Sequence, residues 1–90
     1  MQFSDMLALI DKQLAKEERL RDYLSESDPE SGVWSRGTNA AEVHPSTSTG
    51  ILLQLATKGQ VIHERIFAAS EMSVSRIARA ITEHLTGYAA

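Results

Sequence analysis

The longest apolar stretch of the chain, from Gly50 to Tyr88, places the strongest constraint on the fold. On a helical wheel at about 100° per residue, its large apolar residues fall within one arc of about 160°. No glycine or proline occurs between residues 60 and 86. The pattern predicts one long helix over residues 50–86, and it leaves open a kink or a break at Gly59, which could be a helix C-cap, or in the Ser70–Ser73 region. The residues of the arc are Leu52, Leu55, Ile62, Ile66, Phe67, Val74, Ile77, Ile81, Leu85 and Tyr88.

The N-terminal part of the chain predicts a second amphipathic helix over residues 3–25. Its apolar residues recur at helical spacing, and Pro29 disfavours helix at the residue before it. Residues 26–49 hold both prolines and many serines and threonines, and they show no sustained period. We therefore expect an all-α fold in one domain, residues 1–90, in which a helical hairpin is joined by a long polar loop.

Self-association is expected because the predicted hairpin cannot bury so wide an apolar arc by itself. A chain of 90 residues has a thin core, and without cysteine it lacks both disulfides and cysteine-based metal sites. We predict a homo-oligomer, assembled as a helical bundle through the long C-terminal helix. The expected interface consists of Ile62, Ile66, Phe67, Val74, Ile77, Ile81 and Leu85.

No motif in the sequence indicates catalysis, a cofactor or a metal. The pair His63-Glu64 begins like a HExxH zinc motif, but Phe67 stands where the second histidine belongs. No GxSxG, GxGxxG or P-loop pattern occurs. There is no apolar run long enough for a membrane span and no signal peptide in the first residues. We therefore expect a non-enzymatic, cytoplasmic protein.

The principal functional hypothesis is a small regulatory or inhibitory protein that binds a partner protein. The only tryptophan, Trp34, lies in the polar segment beside Arg36. Tryptophan and arginine are enriched among the residues that dominate protein interfaces. We therefore predict a partner-binding surface made of Trp34, Arg36, Asn39 and His44.

Two alternatives rest on three arginines, Arg65, Arg76 and Arg79, which share one flank of the predicted helix. They are candidate contacts for a small anionic or nucleotide ligand at a protomer interface. Residues 72–85 also resemble the recognition helix of a helix-turn-helix DNA-binding dimer. The resemblance is incomplete, because Glu64 stands where a small residue is wanted. The net charge of −3 argues against a general nucleic-acid binder.

Overall fold

A computed structural model describes residues 2–47 and 50–87 as an antiparallel sheet with two helices. The five strands follow one another as a meander, in the order β1-β2-β3-β4-β5. Both helices pack on the same face of this sheet and against each other. No helix of the described part is long and apolar enough to cross a membrane. In chain order the elements are α1 (Phe3–Ala15), β1 (Leu24–Asp28), β2 (Ser31–Arg36), β3 (Asn39–Thr47), β4 (Gly50–Thr57), β5 (Gln60–Ala68) and α2 (Glu71–Leu85).

The predictions of an all-α fold and a helical bundle are therefore wrong. The first half of the predicted long helix is the β4–β5 hairpin, and helix begins only at Glu71, after the Ser70 that was one expected break. The predicted loop contains β2, β3 and most of β1, and α1 ends at Ala15 rather than near residue 25. Tyr88 of the predicted arc and residues 48–49 of the predicted loop lie outside the described residues.

The β4–β5 hairpin turns at Lys58–Gly59, one of the two places where the helical prediction allowed a break. Both turn residues have positive φ, 53° for Lys58 and 81° for Gly59, and the flanking pair is Thr57 with Gln60. A two-residue loop with two positive φ angles matches the twist of antiparallel strands. Along β4, Ile51 and Leu53 are buried while Leu52 between them is partly exposed. A period of two residues in side-chain burial therefore describes this segment better than the helical period of 3.6 residues.

The first two hairpins explain why the polar segment is ordered. Asp28 accepts hydrogen bonds in the β1–β2 turn, from the Glu30 N–H at 2.8 Å and from the Ser31 hydroxyl at 3.2 Å. The bond from the Glu30 N–H is the main reason that the pKa of Asp28 is lowered. In the β2–β3 turn, Gly37 has a φ of 62°, a conformation that glycine adopts without steric cost. Short turns of this kind fix the register of the strands they join.

The core lies between the two helices and the inner face of the sheet. Trp34 from β2 is almost completely buried in it, and its indole N–H donates to Asp11 Oδ1 at 3.0 Å. This bond satisfies the single polar group of the side chain, so the ring can be buried without an unpaired donor. The other large core side chains include Met6, Ile10 and Leu14 from α1, Val43, Ile51 and Leu53 from the sheet, and Ile77, Ile81 and Leu85 from α2.

Gly32 leaves the space that α1 needs to approach β2. A Cβ atom at this position would lie 2.7 Å from Leu7 Cδ2 and 2.8 Å from the Trp34 ring. We expect Gly32→Ala to lower the free energy of unfolding by about 1–3 kcal/mol, because both neighbours are packed in the core. Thermal denaturation followed by circular dichroism measures this. Gly37→Asn is the control, since a Cβ atom added at Gly37 would meet no neighbour within 4 Å and asparagine tolerates its positive φ. Equal melting temperatures for wild type and Gly32→Ala would contradict the close packing.

Candidate functional site

The candidate site is a groove of about 310 Å³ between α2 and the inner face of β5. It forms because α2 packs over β2, β3 and β4 rather than over β5, which extends beyond the helical layer. Of the nine residues of β5, only Phe67 is buried. The groove is lined by Leu53, His63, Arg65, Phe67, Arg76, Arg79, Ala80 and Glu83.

One wall of the groove is a single face of α2. Arg76, Arg79, Ala80 and Glu83 are separated by three, one and three residues, a spacing that aligns side chains along a helix. The opposite, buried face of the helix carries Ile77 and Ile81. Because that face holds α2 on the sheet, the two arginines are directed away from the core toward the groove and solvent.

The other wall is the inner face of β5. His63, Arg65 and Phe67 alternate along the strand and therefore point to the same side of the sheet. The guanidinium carbon of Arg65 lies 4.9 Å from the centre of the Phe67 ring. This cation–π contact holds the Arg65 charge above an apolar floor that Phe67 shares with Leu53.

The groove is locally basic in a protein with a net charge of −3. Three arginines face one carboxylate, that of Glu83, so the lining has a formal charge of +2 with His63 neutral. Arg79 Nε lies 3.4 Å from Glu83 Oε1, but both side chains are well exposed. An exposed pair of this kind contributes little to stability and is easily exchanged for another partner. Arg65 and Arg76 form no salt bridge within the described residues. The groove can therefore offer positive charge to an anionic group.

The four residues predicted to bind a partner do not form one surface. Trp34 is 1% exposed and lies in the core. Arg36 and Asn39 are at one end of the sheet, whereas His44 lies on the outer face, across from Leu52. The burial of Trp34 leaves no area on this side chain for a partner. The prediction that Trp34 is a partner-binding residue is therefore wrong.

Arg36 and Asn39 hold the C-terminal end of α2 against the sheet. Arg36 Nη1 donates to Leu85 O and Asn39 Nδ2 donates to His84 O, each at 2.9 Å. Carbonyls in the last turn of a helix have no partner inside the helix, so these side chains serve as a C-terminal cap. Both residues line the larger cavity of about 650 Å³ at this end of the molecule. Arg36 Nε and Nη1 and Asn39 Nδ2 already donate to carbonyls of the fold, which makes this cavity a weaker candidate than the basic groove.

The seven residues predicted for the oligomer interface separate into two groups. Five of them are already buried within one chain, where α2 and β5 pack in the core. These are Phe67, Val74, Ile77, Ile81 and Leu85. Ile62 and Ile66 are instead exposed on β5, at 58% and 61%. The long C-terminal helix on which the oligomer was predicted does not exist. Self-association itself stays a prediction.

The three arginines predicted as anion contacts are brought together, although by another route than expected. The helical wheel placed them on one flank of one helix, whereas Arg65 comes from β5 and the other two come from α2. The helix-turn-helix interpretation lacks its first helix, because residues 60–68 form a strand. Reasoning from the sequence missed the floor of the groove. The alternation of His63, Arg65 and Phe67 was the signal that could have revealed it.

The lining has the chemical groups needed to bind an anionic group. It offers three guanidinium groups, one imidazole, one carboxylate and an apolar floor, without a hydroxyl or thiol nucleophile. No cluster of three potential metal ligands occurs in the part of the chain that the structure describes. Comparisons with protein-family models, with curated proteins and with solved structures give no match, so function is inferred from this geometry alone.

Proposed function

We propose that this chain is a small non-enzymatic regulatory protein that binds an acidic region of a partner protein in the groove between α2 and β5. The observation that carries the proposal is the meeting of Arg65, Arg76 and Arg79 from two separate elements around one apolar floor. A carboxylate entering the groove would accept charge-assisted hydrogen bonds from the arginine guanidinium groups, which otherwise face solvent. The proposal places this activity in the cytoplasm. A chain without cysteine forms no disulfides, so it does not depend on an oxidising compartment.

A protein partner suits the groove better than a nucleic acid. Its floor is formed by Leu53 and Phe67, which favour contact with apolar side chains. The rest of the molecule is acidic, with eight acidic and four basic residues in positions 1–30, and would repel a phosphate backbone. An acidic protein segment carries fewer charges and adds apolar contacts to its carboxylates.

A binding assay with a fluorescent poly-glutamate peptide tests the proposal. We expect saturable binding at about 0.05 M salt that weakens markedly at about 0.3 M, since exposed charges are screened over a shorter distance there. The Arg76→Ala/Arg79→Ala variant should bind about tenfold more weakly, because each exposed charge contributes up to about 1 kcal/mol. Fluorescence anisotropy gives both dissociation constants.

The matched control is Lys12→Ala/Lys16→Ala, which removes two exposed positive charges at the end of α1. Its net charge equals that of the arginine variant, but the groove is intact. We expect its affinity for poly-glutamate to lie within about twofold of wild type. Equal losses in the two variants would show that only net charge matters, and the groove would not be the binding site.

A further inference from the structure

β5 offers backbone hydrogen-bonding groups as well as positive charge. Among the described residues it pairs only with β4, so its other edge carries unpaired N–H and C=O groups. The register with β4 is unbroken from Ala68 to His63 and shifts beyond it. Six residues therefore present a regular edge of about 20 Å, enough for a short extended segment to add as another strand.

The two faces of this edge differ in chemistry. On the inner face, His63, Arg65 and Phe67 border the groove, whereas Glu64 and Ile66 point to the outer face of the sheet. Glu64 already accepts a hydrogen bond from Gln54 Nε2 at 2.6 Å. An added strand would place alternate side chains beside these two rows. Acidic residues suit the inner row and apolar residues the outer row beside Ile66.

The basic groups are spread along the groove, with His63 and Arg65 on the β5 wall and Arg76 and Arg79 on the α2 wall. Carboxylates on the inner face of an added strand would repeat about every 6.6 Å and lie beside the β5 wall. Positive groups distributed along a groove match an extended segment better than a single small anion.

The opposite edge of the sheet does not offer these features. β1 has five residues, all exposed, and it carries the acidic side chains Glu26 and Asp28. An acidic segment would be repelled there. The charge complementarity is therefore specific to β5, where the basic row and the free edge coincide.

We infer that the partner segment is an extended acidic peptide, with acidic and apolar residues alternating, which pairs with His63–Ala68 of β5 as a sixth strand. The inference rests on the proposed function, because it names the form of ligand that the basic groove takes. It adds one requirement that attraction by charge alone does not have: the backbone amides of the ligand must be free to pair with the edge.

The probe is a peptide of about eight residues in which valine alternates with glutamate. A second peptide has the same sequence but carries N-methyl groups on the backbone amides that would face β5. The two peptides have equal charge, and only the first can complete the ladder. We expect the N-methylated peptide to bind at least about tenfold more weakly, since several backbone hydrogen bonds are lost.

Amide hydrogen exchange gives an independent readout on the protein. On an edge strand every second residue directs its N–H outward. The valine–glutamate peptide should therefore slow exchange at alternate residues between His63 and Ala68, because the outward N–H groups of these residues are unpaired in the free protein and would become hydrogen-bonded in the complex. Uniform or absent protection there would overturn strand addition.

The outcomes separate this inference from the proposed function. Equal affinity for the two peptides would overturn strand addition while leaving the basic groove as the binding site. Tighter binding of a single-stranded oligonucleotide of the same charge, lost in Arg76→Ala/Arg79→Ala, would overturn the choice of a peptide. If neither the alternating peptide nor poly-glutamate binds at about 0.05 M salt, the proposed function and this inference both fail.

Discussion

The Ile77→Asp variant should be unfolded, whereas Ile66→Asp should fold with nearly the stability of wild type. Ile77 is 0% exposed and faces the sheet from α2. An aspartate there would lose the apolar contacts of isoleucine and bury an unpaired charge, at a cost of about 5 kcal/mol or more. That cost is comparable to the whole stability of a domain of this size. Ile66 is 61% exposed on the outer face, so its replacement should cost about 1 kcal/mol or less.

Circular dichroism and urea titration of the two variants measure this difference. The comparison is informative because a single long helix would have placed both isoleucines in the same apolar arc. Similar destabilisation of the two variants would contradict the sheet. Analytical ultracentrifugation of Ile66→Asp also tests the predicted homo-oligomer, since Ile66 is one of the two proposed interface residues that reach solvent. A wild-type oligomer that this substitution dissociates would assemble through β5.

Trp34→Ala should lower the free energy of unfolding by about 3–5 kcal/mol. The indole is 1% exposed, packs beside Gly32 and donates its N–H to Asp11, which also accepts from the Ser25 hydroxyl at 3.0 Å. Alanine would leave a cavity between α1 and β2. Urea denaturation followed by far-ultraviolet circular dichroism is the suitable measurement, because the variant has no tryptophan fluorescence.

Trp34→Phe provides the control for this experiment. Phenylalanine retains most of the ring and loses the indole N–H, so we expect a smaller cost of about 1–2 kcal/mol. If Trp34 lay on the surface and bound a partner, as the sequence suggested, Trp34→Ala would leave stability unchanged and abolish binding. If Trp34→Ala keeps wild-type stability and loses poly-glutamate binding, the side chain contacts the partner and its place in the core is wrong.

The helical error in residues 50–68 has a specific physical cause. Ile51, Leu53 and Phe67 are buried, but Leu52 and Ile66 point to the outer face and are also apolar. A strand with apolar residues on both faces does not show a clean period of two, and its residues fit a helical arc equally well. Lys58–Gly59 also lacks the Asn-Gly or Asp-Gly pair that most clearly signals a hairpin.

The polar segment misled for a related reason. Few of its inward residues are large and apolar, so hydropathy alone does not reveal that the segment forms strands. The inward residues are Gly32 and Trp34 on β2 and Ala41 and Val43 on β3. The two helices complete the burial of these residues from the other side of the core. Because the helices are distant from these strands in the sequence, no local pattern in residues 26–47 predicts their packing against the sheet.

The sequence by itself determined that residues 71–85 are helical, although not where that helix begins, and it determined the apolar positions of α1, because each helix buries one face at a period of 3.6 residues. Only the tertiary structure decided that residues 50–68 pair as strands, that Trp34 lies inside, and that Arg65 meets Arg76 and Arg79 across a groove. These features depend on contacts between distant residues. A strand acquires its ladder, its buried face and its free edge only from the neighbours beside which the chain folds.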